Sequence, residues 1–244
     1  MTTEALALYE RRFGTVDDLV VVIVGDVDAT DVTDAARRHL GTLAGGEQDT
    51  WIDRLPEAPS GVTSRAVGAG LNDSGAGFDL MMVTEGSLTT AQQQALAVLD
   101  SVLNDRLVEQ VREQLGASYG GGQVFSEVVL RPRDLVDVVV SVSGDHERVD
   151  ELHKVVLGVV ADVAASGPSR EEFERARRVV QADLDTYSNW DLMHELMDRA
   201  RRGSSGVTLA GSYAAVAGLE RSDVADVARL VLHLEDRIEV FRRP

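Results

Sequence analysis

Cysteine is missing from the 244 residues. Its absence removes disulfides, thiolate metal sites and cysteine nucleophiles together. Lysine is nearly missing too, since the 24 basic residues are all arginine except Lys154. With the wealth of Ala, Val, Asp and Gly, this reads as the codon bias of a GC-rich, bacterial genome. Positive charge is scarce overall, and a formal net charge of −17 argues against nucleic acid, whose phosphates need clustered Lys and Arg. It argues equally against anionic membrane surfaces. No apolar run approaches the roughly 20 residues of a membrane span. The opening Met1-Thr2-Thr3-Glu4-Ala5 has neither a basic region nor an apolar core, so no secretory signal is read there and a cytoplasmic location is expected.

What is present suffices for a folded domain. Apolar positions Leu6, Tyr9 and Phe13 at helical spacing predict a first helix closed by Gly14. Leu19-Val20-Val21-Val22-Ile23-Val24, six apolar and mostly β-branched residues, predicts a strand buried on both faces. A helix follows from about Thr30 to Leu40. Residues 44–61, with two prolines and several glycines, form a linker by composition.

Beyond it, residues 62–67 and Phe78 to Val83 read as strands, separated by the Gly-rich stretch Gly68 to Gly77. Thr89 to Gln114 predicts a long helix, with Leu96, Leu99, Leu103, Leu107 and Val111 three or four apart. Tyr119 to Leu130 and Leu135 to Ser143 predict an antiparallel pair. In the second strand Val136, Val138, Val140 and Val142 alternate with polar residues, so one face packs on helices and the other meets something more polar. His146 to Ala165 is helical. Ser169 then caps a helix, with Glu172 completing a capping box and Phe173, Ala176, Val180, Leu184 and Tyr187 as its apolar stripe. Two shorter helices and a last strand at Arg237 to Phe241 follow. The fold class is α+β, a mostly antiparallel sheet with helices on one face.

The five histidines, His39, His146, His153, His194 and His233, make neither H-E-x-x-H nor H-x-x-E-H. His146 and His153 lie two helical turns apart and read as surface helix residues, because a zinc site needs three or four converging ligands. No catalytic metal is expected on this chain. G-x-S-x-G is absent as well, and Gly68 to Gly75 lacks the spacing and the following helix of a phosphate loop. What remains is Arg112-Glu113-Gln114-Leu115-Gly116-Ala117-Ser118-Tyr119. Arg112 ends a helix, Gly116 lets the chain reverse, and Tyr119 opens the next strand, so a guanidinium and a phenol could converge as donors to a peptide carbonyl. On physics alone the simpler reading, a helix C-terminal arginine and a sheet tyrosine, comes first.

This stretch resembles the R-E-x-L-G-x-S-Y segment of the pitrilysin/insulinase zinc peptidases and the mitochondrial processing peptidases. Tyr9 with Arg12-Phe13-Gly14, Val21 to Asp28 and His39-Leu40-Gly41 are similar to the end of one module of that family. Ser166 to Ala176, Ser188-Asn189-Trp190 and Ser222 to Pro244 are similar to later segments of the next. The resemblance implies an αβ-roll module of the mitochondrial-processing-peptidase type. Residues 1–58 would be the strand–helix end of a preceding module plus linker, and 59–244 a complete C-terminal module.

The resemblance further implies that zinc sits in another module or subunit, while Arg112 and Tyr119 bind the peptide substrate. The chain would then be the non-catalytic, substrate-binding part of a zinc metalloendopeptidase, inactive alone. An inactive scaffold keeping the same fold is the alternative. A central strand without neighbours invites pairing, so residues 19–24 are expected to join a sheet edge, in another part of the chain or in a second copy as a homodimer.

Overall fold

The computed structural model describes residues 2–13, 16, 19–46, 58–68, 76–86, 88–115, 123–131, 135–144, 146–202 and 209–243. The chain divides into two compact units. One comprises residues 1–56 and 187–205, the other residues 57–186 and 206–244.

The second unit holds the sheet. Its strands are β1 (Val62–Gly68), β2 (Gly77–Glu85), β3 (Gln123–Arg131), β4 (Leu135–Ser143) and β5 (Arg237–Arg243), in the order β1-β5-β2-β4-β3. Three of the four pairings are antiparallel, and β1 with β5 is parallel. The alternation read from β4 fixes its register. Phe78 sits opposite Val142, Leu80 opposite Val140 and Met82 opposite Val138, and all six are buried. That apolar face of the sheet carries the helices.

Numbering the helices in chain order makes the long central one α3 (Thr90–Leu115). It packs along β3 and against α4 (Val149–Ser166), α5 (Arg170–Asp185), α7 (Leu209–Gly218) and α8 (Arg221–Val231). Leu96, Leu99, Leu103, Leu107 and Val111 are all buried, as their spacing requires. Before α4 the chain makes one turn of 3₁₀-helix, His146–Arg148. The start of α5 is the foreseen capping box, with Glu172 N–H donating to Ser169 Oγ and Ser169 N–H to Glu172 Oε2. Phe173, Ala176 and Val180 are buried, whereas Leu184 is half-buried and Tyr187 lies beyond the helix end.

The first unit contains α1 (Thr2–Phe13), α2 (Ala29–His39) and α6 (Asn189–Arg202). Helix α6 was not foreseen, although Leu192, Met193, Leu196 and Met197 have helical spacing. Ser188 caps its start, accepting from Asp191 N–H and donating to the Asp191 carboxylate. The main departure concerns residues 19–24. They are not in a strand, and no described strand lies beside them. Leu19, Val20, Val21 and Ile23 are exposed, each by half or more. The expected strand, buried on both faces, is therefore not formed: an apolar, β-branched run becomes a strand only where a neighbour supplies the ladder.

Candidate substrate-binding site

Arg112 falls in the last turn of α3, just after the buried Val111 that seats this end of the helix in the core. Three residues later the helix ends, and β3 begins at Gln123. The stretch carrying Tyr119 therefore lies in sequence between the central helix and β3, which among the described residues pairs only with β4. Tyr119 itself and the side chain of Arg112 lie outside the described residues.

The metal question can be asked of the described donors directly. His153 is committed to the core face of the sheet. Its Nε2 is 2.9 Å from Glu239 Oε1, and its ring meets Phe78 and Phe241 edge-on at 5.1 Å. His233 pairs through Nε2 with Thr84 Oγ1 at 2.8 Å. His194 pairs through Nδ1 with the Trp190 carbonyl at 2.8 Å and lies against the Trp190 ring. Among the described residues no three His, Asp or Glu converge as metal ligands, so this donor set does not fit a zinc site.

Two polar clusters flank the centre of the sheet. On the helix side, buried Glu239 accepts from Arg237 Nε at 2.7 Å and faces His153. Burial pushes its carboxyl up, but the bonds from Arg237 and His153 outweigh that and hold it below the ordinary range. On the opposite face Ser141 Oγ donates to Asp79 Oδ1 at 2.7 Å. Arg242 lies 3.6 Å from the same carboxylate and donates through Nη2 to the Val142 carbonyl. Sequence reading found neither cluster. Asp79 and Ser141, 62 positions apart, meet across paired strands, and Glu239 and His153, 86 apart, meet between β5 and α4, so no local stretch of sequence carries either signal.

In the first unit, Val21, Ile23, Val27, Val32, Ala36 and Leu40, together with Asp26, Asp28 and Asp31, line a largely apolar groove beside α2. Asp28 caps α2, and the amides of Thr30 and Asp31 hold its carboxyl below the usual range. No described residue in 1–46 is buried.

Known proteins supply the frame for these observations. The family described as the peptidase M16 inactive domain matches residues 1–180. The periplasmic protease PqqL of Escherichia coli superposes with a TM-score of 0.79 at 20% identity, over 100% of this chain and 27% of that one. A peptidase M16 inactive domain from Pseudomonas fluorescens superposes with a TM-score of 0.72 at 18% identity, over 90% of this chain and 52% of that one. These likenesses show the fold. In sequence the chain is 23% identical over 151 residues to the probable zinc protease PqqL of Haemophilus influenzae, covering 62% of this chain and 16% of that protein. The chain thus spans about a quarter or less of the PqqL proteins it matches, and through its first 180 residues it belongs to the peptidase M16 family as an inactive domain.

Proposed function

We propose that this chain is the substrate-binding, non-catalytic part of a zinc-dependent metalloendopeptidase. It completes an active site whose zinc ligands lie in another module or subunit. The observation that carries this reading is the match of residues 1–180, which include Arg112 in the last turn of α3 and Tyr119 beyond it, to the M16 inactive-domain family. In this reading Arg112 and Tyr119 donate to the backbone carbonyls of a bound peptide and stabilise charge as it develops there. The zinc and its chemistry belong to the partner in this reading, and His153, His194 and His233 are each paired within this chain.

The partner also accounts for the first unit. A six-residue apolar segment with no described strand beside it, an apolar groove and no buried residue among the described ones in 1–46 fit a piece that finishes its core on something else. The zinc-bearing module provides that sheet edge. Where it is absent, a second copy of this chain competes for the same segment.

The test is peptide hydrolysis by the assembled enzyme, with the zinc-bearing module and this chain together. Tyr119→Phe and Arg112→Ala should each lower kcat/KM by roughly 10- to 1000-fold, and this chain alone should hydrolyse nothing. Hydrolysis unchanged in both variants would overturn the substrate-binding role and leave a scaffold.

A further inference from the structure

The edge of the sheet opposite β3 is β1, whose outer side has no neighbouring strand among the described residues. All seven residues of β1 are exposed. The strand is nonetheless firmly placed. It pairs with β5 along its whole length, from Val62 with Arg237 to Gly68 with Arg243, and Gly61 N–H donates to Asp236 Oδ1 at 2.6 Å where it begins. Edge strands are normally blunted by proline, a bulge, several charges or a covering element. Here the sequence is Val-Thr-Ser-Arg-Ala-Val-Gly, with no proline and one charge.

That charge is Arg65, at the middle of the strand. It has no hydrogen-bond or ion-pair partner among the described residues, and its register partner is Val240. The three arginines of the neighbouring β5 are each set against a carboxylate, Arg237 against Glu239, Arg242 against Asp79 and Arg243 against Asp150. In a chain of net charge −17, Arg65 is thus an exposed positive charge on this edge that no described carboxylate balances. Screening at physiological salt confines electrostatic influence to roughly 8 Å, so Arg65, not the net charge, governs what pairs there.

We propose that the free edge of β1 is a docking site for an extended peptide segment that adds as a sixth strand and sets a carboxylate against Arg65. Backbone donors and acceptors on the edge give affinity to any extended chain, and the cross-strand charge gives the preference for acidic residues. A second copy of β1 fits poorly. Symmetric antiparallel pairing of Val62–Gly68 places Arg65 opposite Arg65, and any shifted register forfeits ladder bonds. The site lies at the other end of the strand order from β3. It draws on the proposed function only in taking peptides as ligands, and it does not require Arg112 or Tyr119.

The test is fluorescence anisotropy of the whole chain with labelled heptapeptides alternating Val and Thr, with either Glu or Lys at the centre. The Glu peptide should bind saturably and the Lys peptide roughly fivefold more weakly. Arg65→Glu should reverse that order while leaving the circular dichroism spectrum and unfolding midpoint unchanged, since Arg65 is exposed. Of two Glu peptides N-methylated at alternate residues, one pattern should bind and the other should not, because a strand pairs through one edge.

Equal binding of both methylated forms, or no charge reversal in Arg65→Glu, would overturn strand addition at β1. So would a concentration-dependent dimer, lost in Arg65→Glu, in place of peptide binding. Any of these outcomes would leave the role of Arg112 and Tyr119 in hydrolysis standing. Loss of hydrolysis effects at those two residues would likewise leave this edge intact.

Discussion

Arg106, midway along α3, closes a two-pronged bond onto Glu172, the residue that completes the capping box of α5. Nε donates to Oε1 at 2.6 Å and Nη2 to Oε2 at 2.9 Å. The same guanidinium reaches Asp162 near the end of α4 and the Gly167 carbonyl in the turn between α4 and α5. One side chain therefore ties the central helix to the corner made by the next two. Arg106→Gln should destabilise the chain by about 1–3 kcal/mol, the range for breaking a partly buried charged hydrogen-bond pair. Thermal unfolding followed by circular dichroism checks it, and a change within error would show that the corner holds without the arginine.

The same bond predicts a pH signature. Arg106 holds the Glu172 carboxyl at about 2, below its ordinary 4.5. A carboxylate with a depressed folded-state value contributes stability that is complete above the unfolded value and is lost as pH falls toward the folded one. Urea midpoints measured between about pH 5 and pH 2 should fall more steeply for the parent chain than for Glu172→Gln. Parallel curves would mean that Glu172 titrates normally.

Gly167 turns that corner with φ +65°, a conformation side chains rarely adopt, and a Cβ there would stand 2.6 Å from the Ala225 Cβ of α8. Strain and collision act together, so Gly167→Ala should cost about 2–4 kcal/mol. Gly158, in the middle of α4, has nothing within 4 Å of a built Cβ. Gly158→Ala should therefore be neutral or stabilise by roughly 1 kcal/mol. Comparing the two midpoints separates the corner from the helix, and equal effects would contradict the packing described.

Buried Glu239 depends on Arg237 and His153. Arg237→Leu leaves the carboxylate with the imidazole alone and should cost about 2–4 kcal/mol. Replacing Glu239 by Leu in the same chain should restore much of that loss, since the surroundings, Phe78, Phe241 and Leu80, are apolar. A double variant no better than the single would show that the pair is not held by the charge balance.

How much of this could be read in advance depended on where each signal resides. The capping box of Ser169 and Glu172 is local, and so is the β4 alternation; both stand in the structure as the sequence predicts. The family resemblance likewise rested on local strings, and the M16 inactive-domain match agrees with it. The strand order, with β5 from the chain's end set between β1 and β2, depends on long-range pairing that no window of sequence contains. The same holds for the Glu239 and Asp79 clusters and for the exposed edge at Arg65. Helix α6 was legible in its Leu and Met spacing but hidden beside the longer stripe of α5. Residues 19–24 show the converse case, because the sequence specifies a strand and no strand lies beside it among the described residues.

That segment supports the last prediction. Strand-forming residues without a ladder exchange their amide hydrogens freely, whereas the amides between β2 and β4 are locked in a central pairing. In hydrogen exchange on the chain alone, amides of residues 20–24 should label within roughly a factor of ten of an unstructured peptide. Those of residues 78–83 should be the slowest. Val22→Asp should then leave the unfolding midpoint within about 0.5 kcal/mol of the parent, since Val22 lies on a segment with no ladder among the described residues. The same substitution should abolish assembly with a zinc-bearing module, or with a second copy, because a charge in the middle of a strand buried on both faces is poorly tolerated. Strong protection of residues 20–24 in a monomer would refute the idea, for it would mean that the segment has already found its edge within this chain.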